Sequence, residues 1–311
     1  MTPLVFSFPG HEELARRVAS RLEGETGELA LRAFPDGESY VRLDAPVRGR
    51  PVVLVCGLHR PNEKLLPLAF AADAARDLGA SGVGLIAPYL AYLRQDARFR
   101  EGEAITSASF AGMVSRLADW LVTVEPHLHR LRSLADVYSI PAEAVRAGPA
   151  IAAWIRARVE RPLLVGPDSE SEQWVADVAQ AIGAPHVVLE KTRRGDRDVE
   201  VSLPELDAFR DRVPVLVDDI ISTARTMIAA VRRLRQAGMP APICVGVHAV
   251  FAGTAYQELL QSGAAEIATC NTIAHPSNAI DLDESIAEAS CRLADRSGSD
   301  AVRPRAKGAQ A

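Results

Sequence analysis

The chain has 311 residues, 48% of them hydrophobic, and a formal net charge of −5 at pH 7. This length supports one large domain or two of ordinary size, and we favour two. The weak negative charge and the lack of a long basic stretch argue against nucleic acid or an anionic membrane surface as partner. No apolar run approaches the roughly 18 residues of a membrane span, and no secretory signal is visible. We therefore expect a soluble cytoplasmic protein that acts on small ligands.

The four cysteines are widely separated in the sequence. They lack the close pairs that a zinc site needs, and they lie in apolar strand-like or helical contexts. We expect buried, reduced thiols. The cysteines are Cys56, Cys244, Cys270 and Cys291.

Short apolar runs alternate with stretches of helical period along the chain, which is typical of an α/β fold with mostly parallel sheets. In the first half the predicted strands are PLVFSF, ELALRAF, SYVRL, PVVLVCG, VGLIAPY and WLVTVEP. Helices are predicted at HEELARRVASRLEG, KLLPLAFAADAARDLGA and SASFAGMVSRLAD.

The second half repeats this order. The predicted strands are PLLVGP, PHVVLE, VPVLVDD, ICVGVHAVF and EIATC, with helices between them. The turn-rich segment VYSIPAEAVRAGPA places a boundary near residue 147. We predict two similar layered domains, residues 1–147 and 148–295, followed by a disordered tail at 296–311.

The run VPVLVDDIISTARTM ends a buried strand with Asp218 and Asp219 and then begins a helix around Thr223. Open α/β sheets bind ligands at the carboxyl ends of their strands, where a following helix offers free N–H groups to an anion. Ser222, Thr223 and Thr226 add hydroxyl donors. Two carboxylates beside a phosphate suit sugar hydroxyls or a divalent cation. A simpler alternative is that the aspartates and hydroxyls only cap the helix.

The same run resembles the phosphoribosyl-pyrophosphate loop of type I phosphoribosyltransferases and of ribose-phosphate diphosphokinase. Other stretches resemble motifs of the diphosphokinase family in that family's order, from about residue 30 to 275. Ordinary phosphoribosyltransferases lack the first two of them. The stretches are FPDGESYVRL, PYLAYLRQDARFREGEAITS, VEPHLH, VGPDSESE, LEKTRRGDR and HAVFAGTAYQELLQSG.

In FPDGE, a turn at Gly37 projects Asp36 and Glu38, whose carboxylates can accept hydrogen bonds from an amino group such as that of adenine. Phe34 can stack beside the ring. The alternative is an ordinary Asp-Gly hairpin between two strands. The resemblance implies that these three residues reach ATP across a subunit contact, and we therefore expect a homo-oligomer.

The segment that follows VGLIAPY is rich in arginine, as a polyphosphate ligand requires, although a solvated loop is the alternative. The resemblance implies ATP contacts at Arg94, Gln95, Asp96 and Arg98. Gly102 and Ala104 stand where better-known members have Arg and Pro.

His127 follows WLVTVE, and its neutral imidazole can coordinate a divalent ion or bind phosphate. The resemblance implies Mg²⁺ or substrate contacts for His127 and for Asp168 in VGPDSESE. Lys191 and Arg193 begin the basic segment KTRRGDRD, which an exposed loop also explains. By resemblance they are the catalytic pair of a mobile loop that stabilises a transferring diphosphoryl group.

The implied reaction transfers the diphosphoryl group of ATP to ribose 5-phosphate, with Mg²⁺ as cofactor. The ribose 5-phosphate site is expected at Asp218, Asp219, Ser222, Thr223, Ala224, Arg225 and Thr226. The family's commoner pattern has Asp at the position of Ser222 and Gly at the position of Arg225. Serine at position 222 resembles the archaeal-type members of the family. Glycine at that position allows a positive φ that arginine resists.

Two other functions stay open. A phosphoribosyltransferase shares the Asp-Asp loop but gives no reason for FPDGE or RQD. A non-catalytic regulatory relative is expected to lose its catalytic loop, whereas Lys191 and Arg193 are present.

Overall fold

The computed structural model describes residues 1–128, 130–168, 171–194, 198–202 and 206–300, with the backbone alone at 190–194, 198–202 and 297–300. The chain forms two compact units. One contains Met1–Val145 and the segment from Asp283 onward, and the other contains Arg146–Leu282. Both have parallel sheets and helices, so the predicted α/β class is confirmed.

The first unit contains a seven-stranded sheet in the order β3-β2-β1-β4-β5-β6-β7, parallel except for the β2–β3 pair. Its strands are β1 (Leu4–Ser7), β2 (Glu25–Ala33), β3 (Ser39–Asp44), β4 (Pro51–Val55), β5 (Gly82–Ala87), β6 (Trp120–Val124) and β7 (Ala142–Val145). Its first three helices are α1 (Glu12–Arg21), α2 (Pro61–Asp77) and α3 (Thr106–Leu117), and a short 3₁₀ helix spans Leu134–Asp136. Strands β1, β4, β5 and β6 consist mostly of buried β-branched and aliphatic residues, as expected for strands covered on both faces.

The second unit contains a parallel six-stranded sheet in the order β15-β14-β13-β12-β8-β9 and a separate two-stranded antiparallel sheet, β10-β11. The strands are β8 (Pro162–Gly166), β9 (His186–Val188), β10 (Glu190–Arg194), β11 (Asp198–Ser202), β12 (Val213–Ile221), β13 (Ile243–Ala249), β14 (Glu266–Cys270) and β15 (Asn278–Ile280). The helices are α4 (Gly148–Arg158), α5 (Glu172–Ile182), α6 (Arg225–Gln236) and α7 (Ala255–Gln261), with a 3₁₀ helix at Leu206–Phe209.

The last helix, α8 (Asp283–Asp300), belongs to the first unit and packs on α1, β6 and β7. It buries Ile286, Ala287 and Leu293, and Arg292 Nε donates to Glu143 Oε1 at 2.9 Å. This corrects the expected domain division, because 283–295 does not belong with 148–282. It also corrects the expected tail, because residues 296–300 are helical. The rest of that tail, 301–311, lies outside the described residues.

The four cysteines are free thiols, and only Cys291 is partly exposed. Burial raises the pKa of Cys56 and of Cys244 to about 12. Within the described part of the chain, no helix is long and apolar enough to cross a membrane.

Candidate functional site

The FPDGE segment forms the tip of a hairpin between β2 and β3. Phe34 N–H donates to Glu38 O at 2.7 Å, and Gly37 N–H donates to Phe34 O at 2.9 Å. Gly37 has φ +92°, a conformation that favours glycine, and Asp36 Oδ1 accepts the Glu38 N–H at 3.2 Å. The hairpin is therefore present. Its tip is exposed and keeps the Glu38 carboxylate and the ring of Phe34 available to a ligand.

Two residues that sequence reasoning did not single out lie against Phe34. The guanidinium carbon of Arg32 is 5.2 Å from the Phe34 ring centroid and 4.4 Å from that of Tyr40. The period of two along a strand was the available signal, because it places Arg32 and Phe34 on one face.

Hydrogen bonds to Glu103 hold together the arginine-rich loop after β5. Glu103 Oε2 accepts the N–H groups of Phe99 and Arg100 at 2.9 and 3.1 Å, and Arg98 Nε donates to Glu103 O at 3.0 Å. Gly102 has φ +83°, so glycine at this departure from the family pattern suits the backbone of the loop. Arg94 and Arg98 have exposed side chains.

Asp96 differs from the other predicted ATP contacts because both oxygens of its carboxylate accept hydrogen bonds from one arginine, Arg130. Arg130 Nη1 donates to Asp96 Oδ1 at 2.8 Å, and the Arg130 N–H donates to Oδ2 at 3.3 Å. Desolvation opposes ionisation of Asp96, but these hydrogen bonds and the charge of Arg130 hold its pKa below the ordinary value. Gln95 Oε1 accepts a hydrogen bond from Thr106 at 3.3 Å. Asp96 thus anchors the loop, while the side chains of Arg94 and Arg98 are exposed.

His127 lies three residues after β6 in the first unit and is half-buried. Asp168 follows β8 in the second unit, where its backbone O accepts Ser171 Oγ at 2.6 Å. Over the residues whose side chains the structure describes, no group of three or more His, Cys, Asp or Glu residues could hold a metal ion by itself.

Asp218 and Asp219 lie in the carboxyl-terminal half of β12, which pairs with β8 on one side and β13 on the other. Burial, and then the charges of Asp219 and Asp168, raise the pKa of Asp218 well above its ordinary range. Three carboxylates therefore share the carboxyl ends of two neighbouring strands. A bound cation or sugar hydroxyls would relieve this repulsion.

The loop from β12 to α6 begins at Ser222, whose O accepts the N–H of Ala252 at 3.1 Å. Ala224 precedes the helix in the left-handed conformation, with φ +55°, and no side chain caps the helix. Thr223 and Arg225 are exposed, and Thr226 is half-buried. The first turn of α6 contains no acidic residue, so its N–H groups and its positive dipole end are available to an anion.

Arg225 is the first residue of α6. The concern that arginine resists a positive φ at this position does not apply, because Ala224 takes that conformation instead. The helix was predicted to begin around Thr223, and it begins two residues later, at Arg225.

Lys191 and Arg193 lie in β10, where Lys191 pairs with Val201 and Arg193 with Val199 of β11. The predicted loop is thus the first strand of a two-stranded sheet. Residues 195–197, within the expected basic loop, lie outside the described residues.

Two family models match the chain. Residues 4–117 match the N-terminal domain of ribose phosphate pyrophosphokinase, and residues 135–285 match the phosphoribosyl transferase domain. The chain is therefore a two-domain α/β protein in which a phosphoribosyl transferase domain follows a pyrophosphokinase N-terminal domain.

Known proteins cover nearly its whole length. A ribose-phosphate pyrophosphokinase of Methanopyrus kandleri is 35% identical over 279 residues, which are 89% of this chain and 94% of the relative. A ribose-phosphate pyrophosphokinase of Sulfolobus acidocaldarius is 34% identical over 284 residues, which are 89% of this chain and 94% of the relative. A crystal structure of phosphoribosylpyrophosphate synthetase from Mycobacterium smegmatis superimposes with a TM-score of 0.82 at 26% identity, covering 95% of this chain and 100% of that one. The chain belongs to the ribose-phosphate pyrophosphokinase family.

Proposed function

We propose that this chain transfers the diphosphoryl group of ATP to the 1-hydroxyl of ribose 5-phosphate, giving phosphoribosyl pyrophosphate and AMP. The observation that carries the proposal is the full-length similarity to ribose-phosphate pyrophosphokinases. The match of residues 4–117 to the pyrophosphokinase N-terminal domain favours it over a simple phosphoribosyltransferase.

The test is AMP formation by the purified protein. We expect it to require ATP, ribose 5-phosphate and Mg²⁺ together. ATP hydrolysis that is independent of ribose 5-phosphate would overturn the proposal. Turnover of phosphoribosyl pyrophosphate with a free base, but without ATP, would make the chain a phosphoribosyltransferase. Binding of both substrates without AMP formation would make it a non-catalytic relative.

For ribose 5-phosphate we propose the β12–α6 loop. Asp218 and Asp219 accept hydrogen bonds from the ribose hydroxyls, and the phosphate lies at the start of α6. Support comes from the uncapped helix terminus beside exposed Thr223 and Arg225. The remaining proposed contacts are Ser222, Ala224 and Thr226.

For ATP we propose the hairpin tip and the β5–α3 loop. Phe34, Asp36 and Glu38 hold the base, and Arg94, Gln95 and Arg98 face the phosphates, with Asp96 anchoring their loop through Arg130. Lys191 and Arg193 are proposed to stabilise the charge that develops on the transferring group. Phosphoryl transfer relies mainly on positioning and electrostatic stabilisation, so the proposed roles need no covalent intermediate.

For the cofactor we propose Mg²⁺, with Asp168 and His127 as protein contacts. The Asp168 carboxylate fits, because Mg²⁺ usually takes one or two carboxylates and completes its shell with water and substrate phosphates. His127 offers a nitrogen, which suits a substrate phosphate better than Mg²⁺. Burial, and then the charges of Asp219 and Asp168, raise the pKa of Asp218, and a cation beside these carboxylates would relieve their repulsion. Bound with ATP, the ion would neutralise charge on the β- and γ-phosphates.

We further propose a cytoplasmic homo-oligomer in which the hairpin tip of one subunit reaches the ATP of its neighbour. The free thiols fit a reducing compartment. Sedimentation at assay concentration should show an oligomer, and an active monomer would refute the shared site.

A further inference from the structure

The β2–β3 hairpin holds three side chains together on one face. Arg32 lies in β2 and Phe34 is the first residue after that strand, two positions further on, and the strand register places Tyr40 directly opposite Arg32. The Arg32 guanidinium carbon is 4.4 Å from the Tyr40 ring centroid and 5.2 Å from that of Phe34. The two rings meet edge to face, with centroids 6.4 Å apart and an interplanar angle of 85°. Arg32 and Tyr40 thus constrain the Phe34 ring together.

The stack leaves Phe34 open to a ligand while restricting its rotation. Phe34 is 41% exposed, although it is a large apolar residue at a hairpin tip. An ion pair does not account for Arg32, because within the described part of the chain no carboxylate pairs with it. Its guanidinium instead lies against the two aromatic rings, an arrangement that is attractive because ring faces are electron-rich. By contrast, Arg42 of the same hairpin pairs with Asp44 at 2.7 Å.

We propose that Arg32 and Tyr40 are positioning residues that fix the Phe34 ring for stacking with the purine base of the nucleoside triphosphate. The inference rests on the proposed function, in which Phe34 binds that base. A ring that is already ordered loses less rotamer entropy when the ligand binds. Neither Arg32 nor Tyr40 needs to touch the reacting phosphates, so their effect should fall on ATP affinity and not on turnover.

The test compares Arg32→Ala, Arg32→Met and Arg32→Lys with Arg42→Ala as matched control. The control removes one exposed arginine from the same hairpin without disturbing the stack. We expect the KM for ATP to rise about 3- to 10-fold in Arg32→Ala and Arg32→Met, the range that one or two exposed cation–π contacts supply. Arg32→Lys should recover most of the affinity, since a lysine ammonium can also face the rings. The kcat at saturating ATP and the KM for ribose 5-phosphate should stay as in wild type.

Tyr40 gives a second, independent variant. Tyr40→Phe keeps the ring and should bind ATP as wild type does, whereas Tyr40→Ala should resemble Arg32→Ala. An unchanged KM for ATP in both Arg32→Ala and Tyr40→Ala would overturn the inference. An equal rise in Arg42→Ala would overturn it too, since the effect would then come from lost positive charge and not from the stack.

Calorimetric titration with ATP separates this inference from the proposed function, because it needs no turnover. If wild type forms no AMP but its ATP affinity still depends on Arg32, the proposed function fails and the stack is supported. If every variant forms AMP and binds ATP equally well, only the role of the stack fails.

Discussion

The two sheets place basic side chains in one unit and acidic side chains in the other at equivalent positions. Strand order reverses between β1 and β4 in the first unit and between β8 and β12 in the second, and open α/β sheets bind ligands at the carboxyl side of such a reversal. We call the carboxyl ends of the two strands at each reversal an edge. The edge of the first unit contains the basic residues His11, after β1, and Lys64, beyond β4. The edge of the second unit contains acids, Asp168 after β8 and Asp218 in β12.

At the edge of the first unit, the side chains of His11, His59 and Lys64 pack against the strand ends and the loop, and we call it the filled edge. Lys64 Nζ donates to Gly57 O at 2.6 Å and lies 3.1 Å from His59 Nδ1. A Cβ on Gly57 would come within 2.3 Å of His11 Nε2, so only glycine allows this close approach, and His11 is 5% exposed. Burial, and then the charge of Lys64, lower the pKa of His11 to about 4.

The second edge is open by comparison, although the backbones are alike. Helices α2 and α6 both follow a non-glycine residue in the left-handed conformation, Arg60 or Ala224, and neither has a side-chain cap. At α6 the side chains on either side of Ala224 are those of Thr223 and Arg225, and both are exposed. The fold thus supplies two similar edges with different side-chain chemistry, and the proposed sugar-phosphate site lies at the acidic one.

The strongest test of this contrast uses two of the chain's three lysines. Lys191→Ala should lower kcat by about 10²–10³-fold with little change in substrate binding, because the proposed contact forms mainly in the transition state. Lys64→Met, the control from the filled edge, should keep kcat within about threefold. Steady-state kinetics at a temperature where both variants are folded measures this. An equal loss in both would mean that the first edge also takes part in catalysis, and an unchanged Lys191→Ala would leave that lysine structural.

Arg225 tests the open edge directly. A cation in the first turn of a helix is unfavourable unless an anion lies nearby, and the proposed 5-phosphate supplies that anion. A hydrogen bond to a charged group contributes about 1.5–3 kcal/mol, so Arg225→Ala should weaken ribose 5-phosphate binding roughly 10- to 100-fold. ATP affinity should change much less.

The matched control is Arg232→Ala, two turns further along the same helix and also exposed. Calorimetry with ribose 5-phosphate should show wild-type affinity for this control. Wild-type affinity in Arg225→Ala as well would show that its guanidinium points to solvent.

The strands and the loop of the second unit were predictable because local signals mark them. The β-branched run before Asp218 indicates the strand β12, although β12 continues beyond the two aspartates to Ile221. In the first unit, Asp36-Gly37 likewise indicates a tight turn. Contacts distant in sequence were not predictable. The Arg130–Asp96 pair spans 34 residues, and no period in the sequence relates the two.

The assignment of α8 failed for a similar reason. An amphipathic helix reveals that it has a buried face but not which sheet covers that face. The left-handed Ala224 was missed because alanine gives no signal for positive φ, whereas glycine would have done so.

The filled edge predicts a pH effect on stability. The pKa of His11 is about 4 in the folded chain, compared with about 6.5 for an unperturbed histidine, so between these pH values the unfolded chain binds more protons. Acidification from pH 7 to 4.5 should therefore remove about 2 kcal/mol of the stability that neutral, buried His11 contributes. The advantage of wild type over His11→Asn in urea unfolding should shrink by that amount. A difference that stays constant with pH would mean that His11 is not held neutral by its surroundings.

The smallest expected effect is a difference in stability between glycine variants at the two positions that precede α2 and α6, where the backbone is in the left-handed conformation. Arg60 has φ +50° and is exposed, whereas Ala224 has φ +55° and is 6% exposed. Glycine relieves about 1–2 kcal/mol of left-handed strain at either position but loses roughly 0.5–1 kcal/mol through the greater freedom of the unfolded chain.

Arg60→Gly should therefore be more stable than Arg60→Ala by about 0.5–1 kcal/mol, a comparison in which both variants lose the same charge. Ala224→Gly also loses a buried methyl group, which contributes about 0.8 kcal/mol, so its net change should lie near zero. Urea unfolding of the three variants measures both differences. A clear gain at Ala224 would mean that its methyl group packs poorly, and the open edge would then be less well ordered than the filled one.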